Sequence, residues 1–555
     1  MTPLQEAIRL IAIVTLLSVL SPASAFATWL LDGTPVCTAL QSQQVPQIAQ
    51  DGAGGVIIAW QDWRNENYDI YAQRMGPDGG PLWVNDGVAV CVADGAQVLP
   101  WITSDGAGGA IIVWADFDLL GIRAQRLDPG GSPLWGPTGV SVCSGTGTGE
   151  PYPRCVSDGK GGAIFAWQDI RDGEYDDVYA QRVDASGNVK WTPDGVNVSV
   201  AEYGAMQPEL VSDGVGGAII TWMGSGIYAQ RVDSLGTMEW GDGGVAAGGG
   251  DSPRIVSDGA GGAVITWMSS PYGHDGIYAQ RVGPTGNAMW TANGVGLCVS
   301  SQVVSNPAIA ADGAGGAIVT WQDRREWLNM DIYARRVNSN GAVLWSEEGV
   351  AICTADGPQA HVQITSDGAG GAIIIWEDQR VFSDIYSQRV GADGTPVWTE
   401  NGVAICTALD YQSVPQITSD GGGGAIATWC DYRDSPTTGA HIYAQKISAG
   451  GGVAAVAAPV SPTTGRMLVQ NAPNPFGSGT ALRFRLPSAG QARLSIYDVN
   501  GRLVRVLVDG ELPAGGHEAV WDGRDASGRG MGSGTYFARL LADGQRQTVR
   551  IALVR

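Results

Sequence analysis

The chain of 555 residues is poor in positive charge, in histidine and in long apolar runs. Its 33 Lys and Arg residues are outnumbered by 55 Asp and Glu residues, and the formal net charge of −22 disfavours nucleic acid and anionic membranes as partners. The four histidines have no metal-ligand spacing, which disfavours zinc chemistry and histidine-based nucleophilic catalysis. They are His274, His361, His441 and His517.

No segment beyond the first residues is long and apolar enough to predict a transmembrane helix. The apolar run Ile8–Leu20 is also too short to span a bilayer, and it is followed by the small residues Ala23-Ser24-Ala25. This pattern predicts a signal peptide over residues 1–27, and therefore an extracellular or cell-surface protein. What the chain has in abundance is glycine, with 82 residues, and tryptophan, with 20, which is typical of short strands joined by tight turns.

A short internal repeat organises most of the sequence. The string Asp-Gly-x-Gly-Gly occurs eight times, and in every copy a Trp follows the Asp by nine residues. The copies begin at Asp51, Asp105, Asp158, Asp213, Asp258, Asp312, Asp367 and Asp420. The invariant spacing predicts the same glycine-turned hairpin in each unit.

Each unit contains four short predicted strands, which we name a, b, c and d. Strands a and b flank the glycines, strand c has a pattern such as Ile70–Arg74, and strand d follows a second Trp such as Trp83. This arrangement predicts an all-β fold, an eight-bladed β-propeller over residues 28–448. The eighth unit lacks strand d, whereas Trp29–Cys37 matches strand d with no unit before it. The N-terminal strand is therefore predicted to complete the last blade and close the ring.

The repeats look like other glycine-rich repeats of bacterial propellers. They resemble kelch repeats in length but lack the kelch signature, so the resemblance implies architecture and no named activity. A Gly/Ala/Pro/Thr-rich stretch over residues 449–466 is typical of a flexible linker.

The C-terminal residues 467–555 have a different pattern. Asn500-Gly501 predicts a hairpin turn between alternating strands of a small β-sandwich. The motifs Asn471–Phe476, Ile496–Arg502, Trp521–Asp525 and Ser533–Phe537 resemble, in this order, the FlgD-type immunoglobulin-like domain and the related sorting domains of type IX secretion. The resemblance implies recognition by outer-membrane export machinery and surface attachment. A structural module that is retained on the mature protein is the alternative.

The b–c connections differ in length from unit to unit, whereas the a–b and c–d connections are constant. Counted from the first Trp to the start of strand c, the b–c connections are 10, 8, 11, 5, 10, 11, 9 and 13 residues long. The face of the ring that carries these loops is therefore the expected ligand-binding face. Five loop aromatics are candidates for binding a glycan or protein, unless they merely pack their own loops: Trp63, Tyr175, Tyr272, Trp327 and Tyr432.

Five units carry an Asp-x-Arg motif directly after strand b. Residues i and i+2 of an extended chain lie on one side, so a local ion pair that holds the loop is favoured over a catalytic role. The motifs are Asp62 with Arg64, Asp169 with Arg171, Asp323 with Arg325, Asp378 with Arg380 and Asp431 with Arg433. The second unit of the repeat has Asp116 but lacks the Arg, and the fourth and fifth units have neither residue.

Six of the eight cysteines recur at equivalent positions of strand d, as in Cys37 and Cys91, and separate blades place them too far apart for disulfides. We expect them to be buried, small apolar residues. No cofactor or catalytic metal is expected; Asp-rich loops such as 174–177 are predicted to bind calcium weakly at most.

Three functions are compatible with these features. The favoured one is a secreted or cell-surface, non-catalytic propeller that binds a protein or glycan through the variable b–c loop face. The second is a polysaccharide-acting hydrolase or lyase that uses Asp residues of the same face. The third is a purely structural component of a surface layer.

Overall fold

A computed structural model describes residues 29–147, 150–171, 175–199, 204–269, 276–299, 303–325, 329–380, 382–408, 410–433, 439–453, 476–477, 479–486, 489–499, 501–513, 515–542 and 545–554. The predicted signal peptide and most of the predicted linker lie outside these ranges. All regular structure within them is β-strand, and no helix there is long and apolar enough to cross a membrane.

Eight antiparallel sheets follow one another along the chain, and each has the strand order a-b-c-d. We number them as blades 1 to 8. Strand a spans Gln43–Gln50, Gln97–Ser104, Arg154–Ser157, Met206–Ser212, Asp251–Ser257, Val304–Ala311, Gln359–Ser366 and Gln412–Ser419. Strand b spans Val56–Asp62, Ala110–Asp116, Ala163–Asp169, Ala218–Met223, Ala263–Ser269, Ala317–Asp323, Ala372–Asp378 and Ala425–Asp431.

Strands c and d complete the blades on the outside of the ring. Strand c spans Asp69–Met75, Gly121–Leu127, Asp177–Val183, Ile227–Val232, Gly276–Val282, Asp331–Val337, Asp384–Val390 and His441–Ile447. Strand d spans Val88–Cys91, Val140–Cys143, Val196–Asn197, Val245–Gly248, Val295–Val299, Val350–Cys353, Val403–Cys406 and, for blade 8, Thr34–Cys37. Blade 6 has an additional short strand, Val343–Leu344, beside strand c.

The Asp-Gly-x-Gly-Gly string forms the tight turn between strands a and b. In blade 1, Asp51 Oδ1 accepts hydrogen bonds of 2.8 Å from the backbone N–H groups of Ala53 and Gly55. Gly54 has a φ of +84°, which favours glycine, and a Cβ at Gly55 would lie 2.3 Å from the carbonyl oxygen of Met75. The same pair of Asp hydrogen bonds recurs in the other seven blades.

The ring is closed by the two ends of the propeller. Strands a of successive blades contact one another in a full circle, and strand a of blade 8 contacts strand a of blade 1. The N-terminal strand pairs antiparallel with strand c of blade 8, so that Thr34 lies opposite Ala444. The predicted eight-bladed propeller with its N-terminal closing strand is therefore confirmed. We call the joint made by this strand the seam.

The hydrophobic core lies between the blades. In blade 1, Ile58 and Trp60 of strand b pack into the interface with blade 8, whereas Ile57 and Ala59 pack into the interface with blade 2. Strand b is apolar on both faces because each face is covered by a neighbouring blade. A fully buried apolar side chain of this size contributes about 1.5–3 kcal/mol.

A second contact, which we name the latch, joins each blade to the next at the face that carries the constant a–b and c–d turns. From blade 1, Trp83 Nε1 and Arg74 Nη1 each donate a 3.0 Å hydrogen bond to the carbonyl oxygen of Pro129 in blade 2. Arg74 also forms an ion pair of 2.9 Å with Asp51. The indole packs on Gly131, where a Cβ would lie 2.9 Å from the ring. The equivalent tryptophans are Trp29, Trp135, Trp191, Trp240, Trp290, Trp345 and Trp398.

At the seam the latch is made by residues from both ends of the propeller. Trp29 Nε1 donates to the carbonyl oxygen of Pro77 at 3.1 Å. Lys446 takes the place of the arginine, and its Nζ lies 3.4 Å from Asp420. The turn after strand c of blade 8 ends in a bridge between Ile447 and Val453.

The C-terminal strands form a separate two-sheet sandwich. One sheet pairs Thr480–Leu486 with Gly515–Trp521. The other has the order Leu503–Leu512, Gly490–Asp498, Gly534–Ala542, Gln545–Leu553. Trp521 is fully buried in the core between them and packs against Phe476 and Tyr536.

Candidate functional site

The five Asp-x-Arg motifs form one repeated side-chain cluster at the start of the b–c loops. In blade 1, the Asp62 carboxylate accepts a 2.8 Å hydrogen bond from Trp60 Nε1 and an ion pair of 2.6 Å from Arg64 Nη2. The Arg64 guanidinium stacks 3.8 Å from the ring centre of Tyr71 and donates to the carbonyl oxygen of Asp86. Blades 3, 6, 7 and 8 repeat the ion pair and the stacking.

A cysteine of the preceding blade completes this cluster. The sequence did not predict this contact between cysteine and arginine. Arg64 Nη2 lies 3.2 Å from the Sγ of Cys37, which belongs to strand d of blade 8. Arg171 and Cys143, Arg380 and Cys353, and Arg433 and Cys406 repeat the contact. The cysteines are buried and unpaired, as predicted, and burial raises the pKa of Cys37 to about 12. The signal was the recurrence of Cys in the blade before each Asp-x-Arg motif.

The Asp carboxylates of these clusters are sequestered. Asp62, Asp169, Asp323, Asp378 and Asp431 are at most 2% exposed. Each carboxylate is bound by an indole N–H and a guanidinium, so it has no face left for an incoming substrate. The arrangement can hold a loop and join two blades.

Blades 2, 4 and 5 depart from this cluster. In blade 2, burial raises the pKa of Asp116, and Trp114 Nε1 has no hydrogen-bond partner among the described residues. In blade 5, Trp267 Nε1 instead donates to the carbonyl oxygen of Gly249 at 2.9 Å. The blades without the Arg therefore hold the strand-b indole differently.

The structure describes three of the five candidate aromatics. Trp63 is 37% exposed and Tyr175 is 52% exposed, whereas Tyr432 is partly buried against the core between blades 8 and 1. Tyr272 and Trp327 lie outside the described residues. Trp63 and Tyr432 belong to adjacent blades, and Tyr175 is in blade 3, so the structure does not gather all three in one place.

An aromatic group lies at the variable face beside the seam, and we call it the seam patch: Trp63, Tyr68, Tyr411 and Tyr432. Trp63 packs edge-on against Tyr68, with ring centres 4.6 Å apart. Tyr432 packs against the core between blades 8 and 1, and its backbone N–H donates to the carbonyl oxygen of Tyr411, a residue that is 62% exposed. Flat, partly exposed rings in one place can stack on the apolar faces of sugar rings.

A histidine–glutamate pair in blade 7 also escaped the sequence reasoning. His361 Nδ1 lies 2.9 Å from Glu377 Oε1, and the side chains are 61% and 5% exposed. The hydrogen bond to Glu377 raises the pKa of His361. Glu377 follows the strand-b Trp of blade 7, where blades 1, 3 and 6 have Gln61, Gln168 and Gln322. It is the one charged residue at this position of the repeat, and that was the available signal.

His361 belongs to a ring of strained residues on the innermost strands. A β-bulge in strand a of seven blades, and the segment just before strand a in blade 3, contain one non-glycine residue each with φ between +40° and +55°. These residues are Val45, Leu99, Tyr152, Gln207, Ser252, Asn306, His361 and Val414. The backbone is repeated while the side chain varies, and such strain concentrates where a protein positions ligands.

The opposite face offers a pocket of about 550 Å³ between blades 5 and 6. It is lined by latch residues, including Asp258, Arg281 and Ser339. Asp258 and Arg281 are already paired at 2.8 Å, which leaves the pocket little unused charge. Within the described part of the chain, no three His, Cys, Asp or Glu residues are grouped closely enough to hold a metal.

The fold defines an all-β protein, an eight-bladed propeller followed by an immunoglobulin-like sandwich. Residues 471–545 match the FlgD Ig-like domain, which confirms the predicted FlgD-type C-terminal domain. No curated protein matches the chain.

Solved structures with similarity to the chain include surface proteins and glycan-acting enzymes. FlgD from P. aeruginosa is 29% identical over 14% of this chain and 59% of its own, with a TM-score of 0.12. PorZ, a surface component of the type IX secretion system of Porphyromonas gingivalis, is 11% identical over 92% of this chain and 70% of its own, with a TM-score of 0.22. An ulvan lyase is 11% identical over 77% of this chain and 96% of its own, with a TM-score of 0.39. No activity is carried over at these scores.

Proposed function

We propose that the protein is a secreted or cell-surface, non-catalytic propeller that binds a glycan or protein ligand through its variable b–c loop face. The observation that carries the proposal is the seam patch, where Trp63, 37% exposed, forms an edge-on pair with Tyr68. Aromatic side chains of this kind favour a glycan, because their faces match the apolar faces of sugar rings.

The burial of the Asp-x-Arg carboxylates supports a binding function over the alternative, a hydrolase or lyase that uses these Asp residues. General acid–base catalysis needs a carboxyl group within hydrogen-bond reach of the substrate. Asp62 and its four equivalents are instead enclosed by a Trp and an Arg.

The binding proposal is tested on a glycan array with the full-length mature protein and two variants. Trp63→Ala removes the exposed ring of the seam patch and is expected to lower binding at least about tenfold, the effect of losing roughly 1.4 kcal/mol. Leu235→Ala is the matched control, since Leu235 is an 80% exposed apolar residue in a c–d turn on the opposite face. Equal binding by Trp63→Ala and wild type would contradict the proposal, as would the absence of any glycan or protein ligand.

The C-terminal domain is proposed to serve export or surface attachment, on the ground of its FlgD Ig-like match. Mass spectrometry of the secreted protein tests this role. A mature chain that ends before residue 467 is expected for a sorting domain, whereas an intact tail would favour the retained structural module. Weak calcium binding by the Asp176–Asp177 loop stays a prediction.

A further inference from the structure

The innermost strands place one variable side chain per blade on the wall of the central channel. This side chain is the second residue after the strained bulge residue, and the next residue along the strand packs into a core between blades, as Cys155 and Ile255 do. From blade 1 to blade 8 the position is occupied by Gln47, Trp101, Arg154, Glu209, Arg254, Ala308, Gln363 and Gln416. The four consecutive blades 2 to 5 carry the aromatic and charged residues, and the other four carry only amides and an alanine.

These four side chains form one network across three blade interfaces. The Arg154 guanidinium stacks 4.1 Å from the ring centre of Trp101. Arg154 Nε lies 3.3 Å from Glu209 Oε1, and Arg254 Nη1 lies 3.4 Å from the same oxygen. One carboxylate thus serves two guanidinium groups. The network keeps a net charge of +1 in a chain whose formal charge is −22.

The network has unused hydrogen-bond donors that face the channel. The Arg254 side chain is 43% exposed, and its Nη1 donates to Glu209 and to the carbonyl oxygen of Pro253. Its Nε and Nη2 have no acceptor among the described residues. The carboxylate of Glu150, which precedes strand a of blade 3, accepts a hydrogen bond from the Tyr152 hydroxyl. Arg254 therefore offers a guanidinium edge to an anion that enters the channel.

We propose that this sector of the channel binds the carboxylate of a uronic-acid residue in an acidic glycan. The inference rests on the proposed function and names the ligand class. A guanidinium edge binds a carboxylate through two parallel hydrogen bonds. The amides of Gln363 and Gln416 along the rest of the wall are suited to sugar hydroxyls, which both accept and donate. An acidic peptide shares the carboxylate but lacks the hydroxyls.

Calorimetric titration of the full-length mature protein with a galacturonic-acid trisaccharide tests the proposal. The methyl ester of the same trisaccharide replaces each charged carboxylate by a neutral ester that is one methyl group larger, and a triglutamate peptide represents the acidic-peptide alternative. We expect the acid to bind at least about tenfold more tightly than the ester, the scale of one charge-assisted hydrogen bond. Arg254→Gln is expected to abolish this preference. Arg529→Gln, which changes a 76% exposed arginine of the C-terminal domain, is expected to leave it unchanged.

The outcomes separate this inference from the proposed function. Equal affinity for acid and ester, or a preference that survives Arg254→Gln, would overturn the uronate site while Trp63-dependent binding of other glycans stands. Tighter binding of triglutamate than of the trisaccharide would overturn the ligand class. Loss of the preference in Arg254→Gln, with Trp63-dependent binding of neutral glycans intact in that variant, would support both.

Discussion

The two faces of the propeller differ in how regularly their side-chain contacts repeat from blade to blade. On the constant face, an indole N–H of each blade donates to a backbone carbonyl oxygen of the next blade in all eight blades. On the variable face, only five blades share the Trp-Asp-Arg cluster, and the loops above it differ in length. The polar contacts between blades are thus uniform on one face of the ring and differ from blade to blade on the other.

Removing the seam strand is expected to cause the largest loss of stability. Deletion of Trp29–Cys37 takes away strand d of blade 8 and one latch. Trp29→Ala alone is expected to lower the free energy of unfolding by about 3–5 kcal/mol, as for other buried Trp residues. Urea unfolding followed by circular dichroism measures this loss. Trp63→Ala on the variable face is the control, with an expected loss below about 1 kcal/mol, and equal losses would refute the contrast.

Breaking one ion pair on each face is expected to lower the free energy of unfolding more on the constant face than on the variable face. Arg336→Gln leaves the buried Asp312 Oδ2 with no other side-chain donor and should cost about 3 kcal/mol. Arg325→Gln should cost less, because Asp323 Oδ2 keeps its hydrogen bond from Trp321 Nε1 at 3.0 Å. Thermal unfolding of the two variants compares them. A larger loss in Arg325→Gln would contradict this ranking.

Repairing the one latch that lacks an arginine is expected to stabilise the protein. Lys446 contacts Asp420 at 3.4 Å through a single ammonium group, whereas arginines of other latches reach both the Asp and the next blade. Lys446→Arg should therefore add about 1 kcal/mol. Urea unfolding gives the gain, and Lys190→Arg, in a turn on the same face, controls for the general effect of arginine. No gain over that control would show that the latch carbonyl at the seam is out of reach.

The smallest effect concerns the titration of His361 on the variable face. Its pKa is raised by the hydrogen bond to Glu377, so the pair stabilises the folded state below the ordinary histidine value of 6.5. This contribution is lost as the pH rises through the folded pKa. NMR titration is expected to give a pKa for His361 above 6.5, and Glu377→Gln should lower it. An unchanged pKa in Glu377→Gln would remove Glu377 as the cause.

The architecture could be predicted from the sequence because the repeated motif shows how many units the chain contains and where the strands of each unit lie. The invariant spacing from Asp51 to Trp60 and its seven copies predicted the hairpins, and the orphan strand at Trp29–Cys37 predicted the seam. Pairing within Asp-x-Arg could be expected because the two residues are close in the chain. What repeats along the chain is therefore visible without coordinates.

Contacts between blades could not be predicted in this way. Cys37 and Arg64 meet only because blades 8 and 1 are neighbours, and a cysteine between apolar residues indicates burial alone. His361 meets Glu377 because the bulge in strand a shifts the register by which the two strands pair. The channel arginines share a strand position in blades 3 and 5, but their common partner, Glu209, depends on the curvature of the ring.

The seam also sets the timing of folding. The carbonyl oxygen of Asp32 accepts a hydrogen bond from Arg433, a residue 401 positions later in the chain. Blade 8 therefore cannot assemble until almost the whole propeller has been synthesised, and contacts of such long range fold slowly. A chain that emerges gradually stays an open arc with an unpaired strand at its free end. If the chain is exported as proposed, this delay would keep it unclosed while it crosses the membrane.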